Sequence, residues 1–168
     1  MNKDAKRAAF LSVCLALSMV FSYIESFVPV PLPGVKLGLA NALTLFLIYS
    51  VGVPSAIGVS LVRIFLSTLL FGAFPIGLVY SLFGWVLSIV AMLVARRLLP
   101  FGIVGISVIG AVMHNLGQVI AACLIMKTAE LMIYFLPLLL SGTIAGTVIG
   151  ILSGVLIKKL SGRIKAGL

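Results

Sequence analysis

Arg63 sits within an apolar stretch running from Pro54 to Gly72, in the immediate context Leu61-Val62-Arg63-Ile64-Phe65. That stretch is close to the roughly 20 residues a helix needs to cross a bilayer core. A guanidinium at mid-depth costs about 2.5–3.5 kcal/mol on insertion scales. It is kept only where it faces a polar interior, a carboxylate or a ligand. Any fold open to this chain must therefore give Arg63 polar company inside a hydrocarbon-facing shell.

The rest of the chain supplies that shell. Its 168 residues are 62% hydrophobic and 9% charged, with a mean hydropathy of +1.35. So few charges cannot cover a water-exposed surface, which points to a polytopic membrane protein. The apolar runs are continuous and do not alternate as the strands of an outer-membrane barrel do. The expected fold class is an all-α bundle. The first apolar run is too long for the core of a removable signal peptide and lacks a small-residue cleavage site. Cys14 and Cys123 lie inside apolar runs without CxxC spacing and read as small buried residues. The sequence pI of ≈ 10.1 reflects charge at helix ends. No basic face interleaved with aromatic groups is present, so nucleic acid is not an expected partner.

Hydropathy and chain breakers delimit six spans within one transmembrane domain, residues 1–168. The first runs from about Ala8 to Val28 and stops at Pro29-Val30-Pro31-Leu32-Pro33-Gly34, which cannot continue a helix. The second runs from about Val35 to Val51. Pro54 opens the third, which closes near Gly72, and the fourth runs from about Pro75 to Ala95. Pro100-Phe101-Gly102 leads into the fifth, to about Met126. The sixth ends by Ile157, its start blurred by Glu130 and Pro137.

Lys and Arg in short flanks set the orientation. Lys3, Lys6 and Arg7, then Arg96 and Arg97, then Lys158, Lys159, Arg163 and Lys165 all fall on one side of six spans. Only Lys36 and Lys127 fall on the other. Both termini are expected in the cytoplasm, with the Pro-rich first loop outside.

Two small-residue ridges bear on packing. Gly142, Gly146, Gly150 and Gly154 recur every four residues in the last helix, where bare backbone lets another helix approach closely. Packing within the bundle is the simpler reading, and contact with another subunit is the alternative. Ala8, Ser12 and Ala16 repeat the spacing on the first helix, followed by Ser18, Ser22 and Ser26 on a shifted face. That ridge could serve the bundle or dock a partner.

Few polar residues remain. Glu25 lies near the outer end of the first helix; Lys36, Asn41 and Thr44 lie at or near the start of the second. Tyr80, Ser81 and Trp85 occupy the outer half of the fourth. On the fifth, His114 and Gln118 are one turn apart with Asn115 beside them, forming one polar face expected to point inward. Two readings of Arg63 are open: a structural ion pair with Glu25, or the anion-binding cation of a ligand pocket. His114, Asn115 and Gln118 are open to interhelical hydrogen bonding or ligand contact. One His and so few acidic residues give no metal site, and no cofactor is expected. Trp85 reads as packing or an interface anchor, and Lys36 can snorkel to the headgroups.

Tyr23-Ile24-Glu25-Ser26, the Pro-rich turn and Gly34-Val35-Lys36-Leu37-Gly38-Leu39-Ala40-Asn41 together resemble the opening signature of the Gx transporter family. Leu61-Val62-Arg63 and Ala111-Val112-Met113-His114-Asn115-Leu116-Gly117-Gln118 resemble the same family, whose members are often labelled heptaprenyl diphosphate synthase component I. The resemblance covers nearly the whole chain. It implies kinship with the substrate-binding S components of energy-coupling factor (ECF) transporters, six-helix proteins of the bacterial cytoplasmic (inner) membrane. In those, the first loop helps cover a ligand held near the outer leaflet, and small residues of the first helix meet a transmembrane coupling subunit. Ala8, Ser12 and Ala16 have that spacing, with Ser in place of the central Ala. The chain has no P-loop, so ATPases would be separate subunits.

The synthase label can be weighed on chemistry. Prenyl-chain elongation needs clustered aspartates to hold magnesium against a diphosphate. The three acidic residues here, Asp4, Glu25 and Glu130, are far apart in sequence. The chain is therefore not expected to be an enzyme. It is expected to be a substrate-binding or transport subunit. Arg63 would hold an anionic or strongly hydrogen-bonding group, helped by Lys36, Asn41, His114, Asn115 and Gln118, with Glu25 in the same site holding Arg63 until the ligand arrives. Phe74 and Tyr80 would cover the remainder, and residues 29–36 would close the site. The alternative is a non-catalytic membrane accessory of isoprenoid or quinone synthesis.

Overall fold

The computed structural model describes residues 2–27, 41–71 and 74–167, with 160–167 described by backbone alone. Among these residues the regular structure is helical, without strands: α1 Lys3–Ser26, α2 Asn41–Ser50, α3 Val53–Leu70, α4 Ile76–Leu98, α5 Ile103–Met126 and α6 Phe135–Gly167, with a 3₁₀ segment Glu130–Tyr134 leading into α6. Apart from α2, each helix is long and apolar enough to cross a membrane. The protein is an all-α membrane bundle.

Where charged residues flank a span, the helix runs beyond the hydropathy estimate, whereas α2 ends at Ser50, α3 ends at Leu70 and α4 starts at Ile76, each close to it. α1 begins at Lys3, α4 continues through Arg96 and Arg97 to Leu98, and α6 continues past Lys158 and Lys159 to Gly167. Hydropathy finds where a helix enters hydrocarbon, whereas a helix ends only where its hydrogen bonds do. Charged turns beyond the bilayer remain helical, here with Asp4 in the first turn of α1 and Arg96 and Arg97 in the last turn of α4. Both placements suit the helix dipole. The 3₁₀ turn resolves the start of α6, and Pro137 falls in that helix's first turn, where a missing N–H costs no bond. Val28 and Val35–Ala40 lie outside the described residues.

α5 packs between α4 and α6, while α3 packs against α1 and α2. α2 joins these groups, resting on α3, α6 and α1. Every residue of α2 except Tyr49 is buried, as expected for a helix that is apolar nearly all round. Its core includes Leu45, Phe46, Leu47 and Ile48, with Ile89, Met92, Ile106 and Ile149 from the surrounding helices. The outer faces carry exposed apolar stripes at helical spacing. These are Val13, Leu17, Val20 and Ile24 on α1, and Leu136, Leu140, Ile144, Val148 and Val155 on α6. Such surfaces suit lipid tails and would be a liability in water.

The cations cluster as the topology requires. Arg7 of α1 donates to Ser55 Oγ at the start of α3 (2.9 Å). Arg96 at the end of α4 donates to the Ile48 carbonyl near the end of α2 (3.2 Å) and lies 4.4 Å from the centre of the Tyr49 ring. Gly150 of α6 meets Val104 at the start of α5. The start of α1, the end of α2 and the start of α3 thus share one end of the bundle with the end of α4 and the start of α5. The positive-inside rule assigns that end to the cytoplasm.

Candidate functional site

α1 presents Cys14, Ser18, Ser22 and Glu25 inward, spaced by four, four and three residues, so Glu25 is buried although it lies near the helix end. On α3, Ser60, Arg63, Ile64, Ser67 and Thr68 make the buried face. Arg63 is only 5% exposed. At about 1.5 Å per residue it stands roughly 15 Å along α3 from Val53. The remaining turns rise beyond it, so this is true mid-helix depth.

Its polar company comes from two neighbouring helices. Arg63 Nη2 donates to Asn41 Oδ1 of α2 at 3.4 Å, and the charge of Glu25 on α1 acts on the guanidinium. The Asn41 contact is long for a charge-assisted bond, which is about 2.7–2.9 Å when strong. Arg63 Nε and Asn41 Nδ2 are buried donors with no hydrogen-bond acceptor among the described residues. Ser22 Oγ is likewise buried without a partner there. One turn toward the cytoplasm, Thr44 Oγ1 and Ser60 Oγ share a 2.8 Å hydrogen bond that closes the α2–α3 seam. Ser60 also donates to the Ala56 carbonyl.

The polar residues of α5 divide between two seams. His114 packs toward α4: a Cβ at Gly84 would lie 2.8 Å from the His114 carbonyl oxygen and 2.9 Å from its ring. Gly117 faces the same helix, where a Cβ would come within 2.6 Å of the Phe83 carbonyl oxygen. His114 Nε2 and Gln118 Nε2 are 3.1 Å apart, consistent with the amide donating to an unprotonated ring nitrogen. Asn115 turns instead toward α6, donating from Nδ2 to the Leu138 carbonyl at 2.7 Å. All three side chains are buried, but they do not form one face.

The other expected site residues are dispersed. Tyr80 is buried with Val119, Ala121, Ala122 and Leu138, in the apolar cluster where α4, α5 and α6 meet. Phe74 is exposed. Trp85 is half-buried against the main core. Ala8, Ser12 and Ala16 lie on the exposed side of α1. Gly142, Gly146 and Gly150 line the α5–α6 seam, and a Cβ at Gly154 would meet nothing within 4 Å. Lys36 and the loop 29–36 lie outside the described residues. Ser60 and Gly84 were not singled out from the sequence. A hydroxyl or a glycine inside an apolar run gives no signal until its neighbour on another helix is known.

A bundle with lipid-facing stripes, and a guanidinium and a carboxylate buried between its helices, defines a polytopic membrane protein with an intramembrane polar centre. The chain belongs to the heptaprenyl diphosphate synthase component I family, whose model matches residues 14–156. That span takes in Glu25, Asn41, Arg63 and the polar residues of α5, and agrees with the Gx transporter motifs. No curated protein and no solved structure matches the chain.

Proposed function

We propose that this protein is the membrane-embedded substrate-binding subunit of an uptake system, resembling an ECF-type S component. It would take a small anionic or polar metabolite from the outside. The observation that carries this reading is the polar centre around Arg63: a buried cation at mid-depth with two donors, Arg63 Nε and Asn41 Nδ2, that have no acceptor among the described residues. Donors left unpaired in a low-dielectric interior are costly and favour a ligand that brings acceptor oxygens. Arg63 would hold the anionic group, with Asn41 beside it and Glu25 balancing the charge when the site is empty. His114 and Gln118 would contribute polar contacts, Lys36 would act from the first loop, and that loop would close over the site. Asn115 is assigned to holding α5 against α6, and Tyr80 to the apolar wall. The subunit would work in a bacterial cytoplasmic membrane with a transmembrane coupling subunit and separate ATPases. Ala8, Ser12 and Ala16 would be the docking ridge.

The decisive experiment is mass-spectrometric identification of small molecules that stay with the purified protein, for wild type and Arg63→Gln. Wild type should carry a small anion that the variant has lost. Equal retention by both would overturn the assignment.

The family description supports a second reading, in which the chain is a non-catalytic membrane partner of a prenyl diphosphate synthase. Affinity purification separates the two. A soluble prenyl synthase as the stoichiometric partner supports the second reading, whereas a coupling subunit with ATPases supports the first.

A further inference from the structure

Away from the polar centre, the cytoplasmic halves of α1 and α3 line a cleft of ≈ 450 Å³. Leu11, Ser12 and Leu15 line it from α1, so that it borders the docking ridge at Ser12, and Val59 and Val62 line it from α3. Gly58 opens the α3 side, because a Cβ there would meet nothing within 4 Å. At the cytoplasmic mouth, Arg7 is exposed and anchored to Ser55 Oγ at 2.9 Å. That single bond uses one of the five N–H donors of a guanidinium. Lys3 stands one turn earlier on the same side of α1.

We propose that this cleft is a binding site for an anionic glycerophospholipid of the cytoplasmic leaflet. The phosphate would lie on Arg7 and Ser55, with an acyl chain along the trough past Gly58 to Val62. One feature selects this occupant. The cleft is largely apolar, and among the described residues that line it the one charge, Arg7, stands at the mouth, which matches an amphiphile with a single charged terminus. Arg7 lies at the bundle end where the positive-inside rule places the anionic leaflet, and a basic residue near that surface attracts anionic lipid. A lipid here would brace α1 against α3 without touching Arg63.

The test is native mass spectrometry of full-length protein exchanged into equimolar phosphatidylglycerol and phosphatidylcholine. Wild type should retain phosphatidylglycerol preferentially, and millimolar inorganic phosphate should not displace it. Arg7→Gln should lower that retention about fivefold, the factor expected for one basic residue at the surface. Gly58→Leu should lower it by filling the trough while leaving Arg7 in place, and it has open space in which to fold. Arg97→Gln, which removes a cation from the same side outside the cleft, should leave retention unchanged. The proposal is overturned if the two lipids are retained equally, or if Arg7→Gln and Gly58→Leu both retain phosphatidylglycerol as wild type does. It is also overturned if Gly58→Leu strips a protein partner and leaves lipid retention untouched.

Discussion

Arg63 and Asn41 join the middle of α3 to the start of the described part of α2, Nη2 to Oδ1 across 3.4 Å. At that length the amide is a weak partner for a full charge. Most of what keeps the guanidinium tolerable must come from the wider polar centre, including the field of Glu25. Asn41→Ala should therefore cost little stability, about 0.6 kcal/mol, the average for a polar contact between membrane helices. Glu25→Gln and Arg63→Met should be strongly non-additive, because each removes a charge whose effect depends on the other. The double variant should lose less than the two singles combined, by at least about 0.5 kcal/mol. Thermal unfolding in detergent of the four members of this cycle checks it. Simple additivity would mean that Glu25 and Arg63 are energetically independent.

Asn115 and Gly142 form a second linked pair. A Cβ at Gly142 would lie 2.7 Å from Asn115 Nδ2, the atom that donates to the Leu138 carbonyl. Gly142→Ala should thus push the amide off its acceptor, and Asn115→Ala should remove the same bond by deletion. The bond's loss should cost about 0.6 kcal/mol, up to about 1.7 at most. In the Asn115→Ala background, Gly142→Ala should be nearly silent. A full additional loss there would show that the methyl disturbs something other than this hydrogen bond.

How much of this was legible in the sequence depends on whether a signal is carried along one helix or between two. Arg63's depth and the helical spans follow from hydropathy and transfer cost, which a single chain displays. Splitting His114 from Asn115 required the neighbours: adjacent residues on a helix point about 100° apart, and α5 is flanked on both sides. One side chain therefore reached α4 and the other α6. Gly84 was unreadable for the same reason, since it is the His114 carbonyl and ring opposite that explain its missing Cβ. Tyr80 looked like a ligand-facing aromatic because its hydroxyl and its position in the outer half were visible. That Leu138 and Val119 enclose it was not.

The glycine ridge of α6 gives a contrast within one helix. A Cβ at Gly146 would fall 2.8 Å from Val108 Cα, a backbone atom that cannot step aside. One at Gly154 would meet nothing within 4 Å. Gly146→Ala should separate α5 from α6 and cost about 1–3 kcal/mol, as overpacking does. Gly154→Ala should be neutral or slightly stabilising, because Ala is the better helix former. Comparing unfolding temperatures of the two variants checks this. Equal effects would place the close approach somewhere other than the α5–α6 seam.

Arg96 ties α4 to α2 by two means at once, a hydrogen bond to the Ile48 carbonyl and a position over the Tyr49 ring. Carbonyls in the last turn of a helix lack partners within it, so a cation there both satisfies an acceptor and meets the negative end of the dipole. Lysine keeps the charge but loses the planar guanidinium that both bonds and stacks. Arg96→Lys should therefore lose part of the stabilisation and Arg96→Gln about 1 kcal/mol or more, combining the stacking and dipole contributions. Tyr49→Leu should weaken wild type by about 0.5–1 kcal/mol, the exposed-site range, yet add almost nothing to Arg96→Gln. Hydrogen exchange at the end of α2 should quicken in Arg96→Gln, because that end would fray once its carbonyl partner is gone. Unchanged exchange there would mean that core packing alone holds the end of α2.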